Sequence, residues 1–169
     1  MLTYTGASKQ RMDDRGRFHL PQRWQDAVQQ AGELVITAGP NGSLWLCERE
    51  TWEAEVGRLG AELLCSPERQ MLRSLLVGHA ETVSADKNHR ILVSEALRTY
   101  ADLDNVSAVY LVGSGSVIEI WDWRVWEQRV QAAKANTKLF DLQNQSGSNS
   151  TESPAPVPSA AVPGPGGGS

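Results

Sequence analysis

The stretch RMDDRGRFHLPQRW at residues 11–24 decides how this chain is read, because SADKNHRILVSEAL at residues 84–97 repeats it. Asp13 falls on Asp86, Arg17 on Arg90, Phe18 on Ile91 and Leu20 on Val93, all 73 positions apart. A second pair lies further on, SLWLCERETWEAEV (43–56) and VIEIWDWRVWEQRV (117–130). There Leu44, Leu46, Trp52 and Val56 meet Ile118, Ile120, Trp126 and Val130 at an offset of 74. Two matches whose offsets differ by one loop residue identify a duplicated unit.

Within each copy the hydrophobic period switches from two to 3.6 and back. Phe18 and Leu20, then Ile91 and Val93, alternate after a polar turn and predict short strands. PQRWQDAVQQAG predicts a helix beginning after Pro21 and stopping at Gly32. ELVITAG and SLWLCE read as strands around the turn GPNG (39–42), and SAVYLVG and VIEIWD as strands around GSGS (113–116). Each copy closes with a helix, ERETWEAEVGRLGAELL and DWRVWEQRVQAAKAN. An additional helix, SPERQMLRSLLVGHA, has Ser66 as its N-cap and Pro67 at its first position. Its Met71, Leu72, Leu75 and Leu76 form an apolar stripe. A β-rich half of this size does not easily close a core alone. The expectation is a mixed α+β, β-rich fold in which both halves form one pseudo-two-fold barrel with flanking helices.

The 169 residues are 40% hydrophobic and 21% charged, which places the chain among ordinary globular proteins. No run nears the roughly 18 apolar residues of a membrane span. The opening MLTYTGASKQRMDDRGR has no apolar stretch before its charges, so no secretory leader is expected. Cys47 and Cys65 lack CxxC spacing and a nearby histidine pair. That excludes a disulfide scaffold and a zinc finger, and fits a reducing cytosol. From residue 143 the composition turns to Ser, Pro, Gly and Ala with no aromatic side chain, and this tail is expected to be disordered. The expected organisation is a first half at 1–56, a helical connector at 57–79, a second half at 80–133, and a helix end plus tail at 134–169.

Charge is placed unevenly. The chain carries a net charge of −4, yet residues 1–24 hold Lys9, Arg11, Arg15, Arg17 and Arg23 against only Asp13 and Asp14. A basic hairpin on an acidic body suits a directional, phosphate-seeking face. A two-stranded hairpin also fits the major groove, where arginine pairs with both acceptors of a guanine. Arg15 and Arg17 flank Gly16 at the turn and are the candidate base readers, with Lys9, Arg11 and Arg23 as phosphate contacts. In the second copy Lys87 and Arg90 are candidates, and Arg90 is equally readable as half of an internal ion pair. Asp13 and Asp86 are read as ties for the turn backbone. The bland alternative is a salt-bridged polar turn with no ligand.

These motifs resemble the MraZ family, bacterial DNA-binding regulators built from two tandem AbrB/SpoVT-like swapped-hairpin halves. The signature resembling DxKGRxxLP stands here as Asp13-Asp14-Arg15-Gly16-Arg17-Phe18-His19-Leu20-Pro21, and its second copy as Asp86-Lys87-Asn88-His89-Arg90-Ile91-Leu92-Val93-Ser94. Ile118-Glu119-Ile120-Trp121-Asp122 followed by Trp126-Glu127 also fits, and the resemblance covers roughly residues 1–133. The chain departs from the pattern at Arg15, where lysine is usual, at His89 in place of glycine, and at Ser94 in place of proline. A histidine at a turn that needs positive φ carries a conformational cost. The resemblance implies a cytoplasmic, nucleoid-associated, ring-shaped homo-oligomer that binds repeated promoter boxes on double-stranded DNA. It also implies control of the division and cell-wall gene cluster, its own gene included.

Other chemistries find little support. His19, His79 and His89 lack a second ligand at metal spacing. GSGSV at 113–117 lacks GK[ST] and precedes a strand, so it is not a phosphate loop. Ser, His and Asp are present without a nucleophile elbow. No enzyme activity, cofactor, metal, membrane or small-molecule substrate is expected. Trp45, Trp52, Trp121, Trp123 and Trp126 read as packing residues rather than base-stacking platforms. The competing function is a protein-protein assembly scaffold that does not read DNA.

Overall fold

The computed structural model describes residues 4–61 and 66–136. The expectations for Cys65 and for the tail lie outside them. The chain divides into a unit ending at Val130 and another beginning at Gln131, and the packing below belongs to the first.

The first copy runs β1 (Tyr4–Arg11), β2 (Arg17–His19), α1 (Gln22–Ala31), β3 (Glu33–Ala38), β4 (Leu44–Glu48) and α2 (Arg49–Ala61). Helix α3 (Pro67–Gly78) follows. The second copy runs β5 (Glu81–Ser84), β6 (Arg90–Leu92), α4 (Glu95–Tyr100), β7 (Ala108–Gly115), β8 (Val117–Asp122) and α5 (Trp123–Ala135). The expected start and stop signals operate as read. Gly32 ends α1 at φ +72, and Ser66 Oγ accepts the Arg69 N–H at the start of α3. The β7 strand extends beyond the expected SAVYLVG because β1 pairs with it as far as Tyr4 opposite Gly115.

Strand pairing crosses between the copies. A six-stranded antiparallel sheet has the order β1-β7-β8-β4-β3-β5, and a two-stranded sheet pairs β2 with β6. Each copy's first strand thus pairs with the other copy's hairpin. The order reads the same from either end once equivalent strands are exchanged, which places a pseudo-two-fold axis between β4 and β8. The register agrees: Leu44 faces Ile120 and Leu46 faces Ile118, the equivalents under the repeat. Phe18 faces its own counterpart Ile91 in the small sheet. The expected mixed α+β architecture is present. In place of one closed barrel, strand pairing gives two sheets, with β1 and β5 as edges of the larger one. An arginine bonds to each edge strand: Arg23 Nη2 donates to Ala7 O of β1 at 2.9 Å, and Arg49 Nη2 to Thr82 Oγ1 of β5 at 2.9 Å.

Alternation along the strands fills the interior on both sheet faces. Phe18, Leu34, Ile36, Leu44, Leu46, Ile91, Leu111, Ile118 and Ile120 join one core with Trp24, Val28 and Leu97 from the helices. On the opposite face Thr37 Oγ1 and Trp52 Nε1 both donate to Leu76 O, at 2.7 and 3.1 Å, which seats α3 on β3 and α2. Only part of the α3 stripe is covered, since Leu76 is buried whereas Met71 and Leu72 remain exposed. Phe18 and Ile91, both 0% exposed, link the small sheet to the core. Phe18→Ala should therefore cost about 3–5 kcal/mol. Urea unfolding followed by circular dichroism should show one transition moved to lower denaturant, because both copies share the core; two separate transitions would contradict this.

Candidate nucleic-acid interface

The site begins with two turns of the same construction. At the first, Asp13 O accepts the Gly16 N–H at 3.0 Å and the Asp13 N–H donates to Arg17 O at 2.9 Å. Gly16 has φ +80. At the second, the corresponding bonds join Asp86 to His89 at 2.8 Å and to Arg90 at 3.0 Å, with His89 at φ +54. A turn followed by a left-handed residue forms a bulge that glycine enters freely and histidine enters at a cost. The histidine reading from sequence thus holds: position 89 does require positive φ.

The carboxylates secure both turns. Asp13 Oδ1 accepts the N–H groups of Arg15 and Arg17 at 3.0 and 2.8 Å, and Oδ2 accepts Arg17 Nε at 2.8 Å. Asp86 accepts from Asn88 N, Arg90 N and Arg90 Nε, each at 2.9 Å, and from Arg90 Nη2 at 2.8 Å. Hydrogen bonds from the Arg17 backbone hold the Asp13 carboxyl below its ordinary range. The Arg90 side chain, then its backbone N–H, lowers Asp86 to about 2. The acids are ties for the turns, as read from sequence. Arg90, ambiguous there, does form the internal ion pair.

Both arginines are half-buried, with 28% of the Arg17 side chain and 24% of the Arg90 side chain exposed. Phe18 and Ile91 point into the core, so alternation turns Arg17, His19, Arg90 and Leu92 outward. Across the ladder Arg17 lies opposite Leu92, and His19 opposite Arg90. Arg17 is bound through Nε only, and among the described residues no partner is recorded for its terminal amino groups.

The turns are also built from both copies. The Val93 N–H donates to Gly16 O, and the Leu20 N–H to His89 O, each at 2.9 Å. The first turn's neighbourhood is therefore Arg15, Arg17 and Leu92, and the second's is Lys87, Arg90 and His19. Arg98 braces the first, its Nη1 donating to Val93 O at 2.8 Å and to Arg15 O at 3.3 Å. Ser94 replaces proline by capping α4, its hydroxyl accepting the Leu97 N–H at 3.4 Å and donating to Glu81 at 2.6 Å.

Of the other candidates, Lys87 belongs to the second turn, whereas Arg11, Lys9 and Arg23 lie apart from the cluster. Arg11 is exposed at the end of β1 and Lys87 on the second turn. Lys9 Nζ sits 3.3 Å from the centre of the Trp123 ring, and Arg23 lies over Trp24 while bonded to β1. Both are engaged within the fold. Sequence reading did not single out Arg98, His19 or Leu92 as site residues. The alternation RFH and RIL carried the signal for the last two, whereas nothing local marks Arg98.

Three further observations bear on function. Among the described residues no group of His, Cys, Asp or Glu side chains is placed to hold a metal ion. Burial, then Glu48 and Glu55, pushes the Cys47 thiol up to about 12, which keeps it protonated. No helix among the described residues is long and apolar enough to cross a membrane.

Opposite substitutions at equivalent positions test the turn geometry. A Cβ at Gly16 would approach Val93 O at 2.9 Å and crowd Arg98. Gly16→Ala should lose about 1–2 kcal/mol, whereas His89→Gly should be neutral or gain up to about 1 kcal/mol. Thermal denaturation of the two variants checks the difference. Carboxyl NMR titration should place Asp86 near 2, and Arg90→Ala should return it toward its ordinary 3.8. Because the folded value is the lower one, the stabilisation is complete above about pH 4 and is lost as pH falls toward 2.

A family model described as "MraZ protein, putative antitoxin-like" matches residues 76–143. A Thiobacillus denitrificans protein named Transcriptional regulator MraZ is 36% identical over 132 residues, 77% of this chain and 88% of that one. A Methylobacillus flagellatus protein of the same name is 36% identical over 130 residues, 76% and 86% of the two chains. One from Clavibacter michiganensis subsp. michiganensis is 33% identical over 129 residues, 76% and 87%. Likeness at this level over most of both chains, together with the duplicated turns, makes this chain a member of the MraZ family.

Proposed function

We propose that this protein is a non-enzymatic transcriptional regulator that reads duplex DNA with the outer face of the β2-β6 ribbon and its two turns. One observation carries the reading. Two half-buried arginines on the outward side of a two-stranded ribbon are each held by an aspartate from the same turn, Arg17 by Asp13 and Arg90 by Asp86. Such a clamp fixes the guanidinium plane before binding, so less side-chain freedom is lost on contact with a base. A ribbon of this width enters the major groove, and each bidentate arginine contact there discriminates by about 1–3 kcal/mol. The family relatives' shared name, Transcriptional regulator MraZ, supports the same direction.

Around that contact the roles divide. Arg15, Arg17 and Arg90 address base edges, with Gly16 shaping the first turn. Arg11 and Lys87 address phosphates, and Lys9 and Arg23 steady β1 and contribute positive potential. One ribbon is small, so tight binding needs several protomers on repeated boxes, in a ring-shaped homo-oligomer. The exposed Met71, Leu72 and Val77 on α3 are apolar surface suited to a contact between subunits. The target is the promoter of the division and cell-wall cluster, including the protein's own gene, bound in the cytoplasm at the nucleoid.

Fluorescence anisotropy with labelled DNA from upstream of its own gene tests this. Binding should weaken with salt. Arg15→Ala and Arg17→Ala should each lower affinity about tenfold or more. Asp13→Asn separates the clamp from simple charge. It removes a negative charge, so bulk electrostatics predicts tighter binding to every DNA. Loss of the clamp predicts instead a smaller ratio of specific to random-sequence affinity, by roughly tenfold. Unchanged binding in both arginine variants would assign DNA contact elsewhere or favour the assembly scaffold.

A further inference from the structure

Leu92 is 51% exposed, although it lies on a strand whose neighbours Ile91 and Val93 are both fully buried. The other outward side chains of the ribbon are Arg17 directly across, Arg90 two positions back on the same strand, and His19 on the diagonal. Among the described outward residues of the two strands, Leu92 is the one apolar side chain. A protein partner would meet it with a contiguous apolar patch from which charged residues are depleted, and this face offers the reverse. The surface that suits one isolated apolar group among guanidinium groups combines strong negative charge with isolated apolar points. The major groove has that character, with thymine C5-methyl groups between phosphates and base acceptors.

We propose that Leu92 is a specificity residue that packs on a thymine methyl beside the base contacted by Arg17. This assignment rests on the DNA-binding reading above and names one base feature that the ribbon recognises. Its position supports it. The Val93 N–H donates to Gly16 O at 2.9 Å, so the second copy's Leu92 adjoins the first copy's Arg15-Gly16-Arg17 turn. The equivalent position beside the second turn, 73 residues earlier, is His19. The ribbon's outer face is therefore pseudo-symmetric in its arginines and asymmetric in this pair. A methyl-reading corner lies at the first turn and an imidazole at the second.

The test compares two versions of the upstream DNA of its own gene, amplified with dTTP or with dUTP, which deletes every thymine methyl. Anisotropy is measured for wild type, Leu92→Ala and Arg15→Ala. Burying one methyl should favour thymine DNA by about three- to fivefold. Wild type should show that preference, and Leu92→Ala should bind both DNAs equally, near the wild-type affinity for uracil DNA. Arg15→Ala should weaken binding to both and retain the preference. Leu92 is exposed, so its replacement leaves the core intact, and light scattering should give the wild-type mass. Equal wild-type binding to both DNAs overturns the methyl assignment and leaves the DNA-binding reading standing. A thymine preference that survives in Leu92→Ala, or a lower oligomer mass in that variant, also overturns it. A wild type that binds neither DNA at low salt overturns both.

Discussion

Neither copy of the repeat completes its own sheet. β1 hydrogen-bonds to β7 and β5 to β3, so each half supplies the first strand of the other's layer. Most of the architecture follows from that exchange. β4 and β8 meet at the centre, and the short ladder β2-β6 is placed where Phe18 and Ile91 close the same core. A lone half would expose that core and two unpaired edges, which makes the duplicated unit cooperative rather than modular.

The exchange also determines what a turn is made of. Each turn is secured locally by its aspartate, then joined to the opposite copy through one backbone bond, Val93 N–H to Gly16 O or Leu20 N–H to His89 O. Local chemistry provides rigidity and the crossover provides neighbours. Clamped arginines cost little conformational entropy to present, and the small ribbon carries two of them on its outward side. Where the second copy departs from its partner, compensation is visible. Ser94 caps α4 where Pro21 begins α1, and His89 accepts a left-handed backbone within the same hydrogen-bond frame.

The copies also diverge on the other sheet face. In the first copy Trp52 and Thr37 both donate to a carbonyl of α3. In the second copy the equivalent Trp126 stacks on Tyr110 at 5.8 Å and meets Trp121, over which Arg129 lies at 4.8 Å. The tryptophans identified as packing residues are used in two ways. One seats an added helix, and the other forms an aromatic layer with a cation on it.

Much of the fold was legible before any coordinates. The offset between Asp13 and Asp86, the alternation at Phe18 and Ile91, and the Ser66, Gly32 and GPNG signals located the elements, because each depends on neighbours within a few residues. The same local logic identified the aspartates as turn ties and offered the arginines as candidates. Strand order was not legible, and the expected barrel became an open six-stranded sheet with a separate ribbon, because partners paired between the copies lie 45 to 111 residues apart. For the same reason Arg98, His19 and Leu92 stayed hidden, while Lys9 and Arg23 looked free. Sequence alone determined the repeat, its turns and their charges, since these are written in local spacing. Tertiary structure decided which side chains share a face, because a swapped pairing brings together residues from different halves that no local pattern connects.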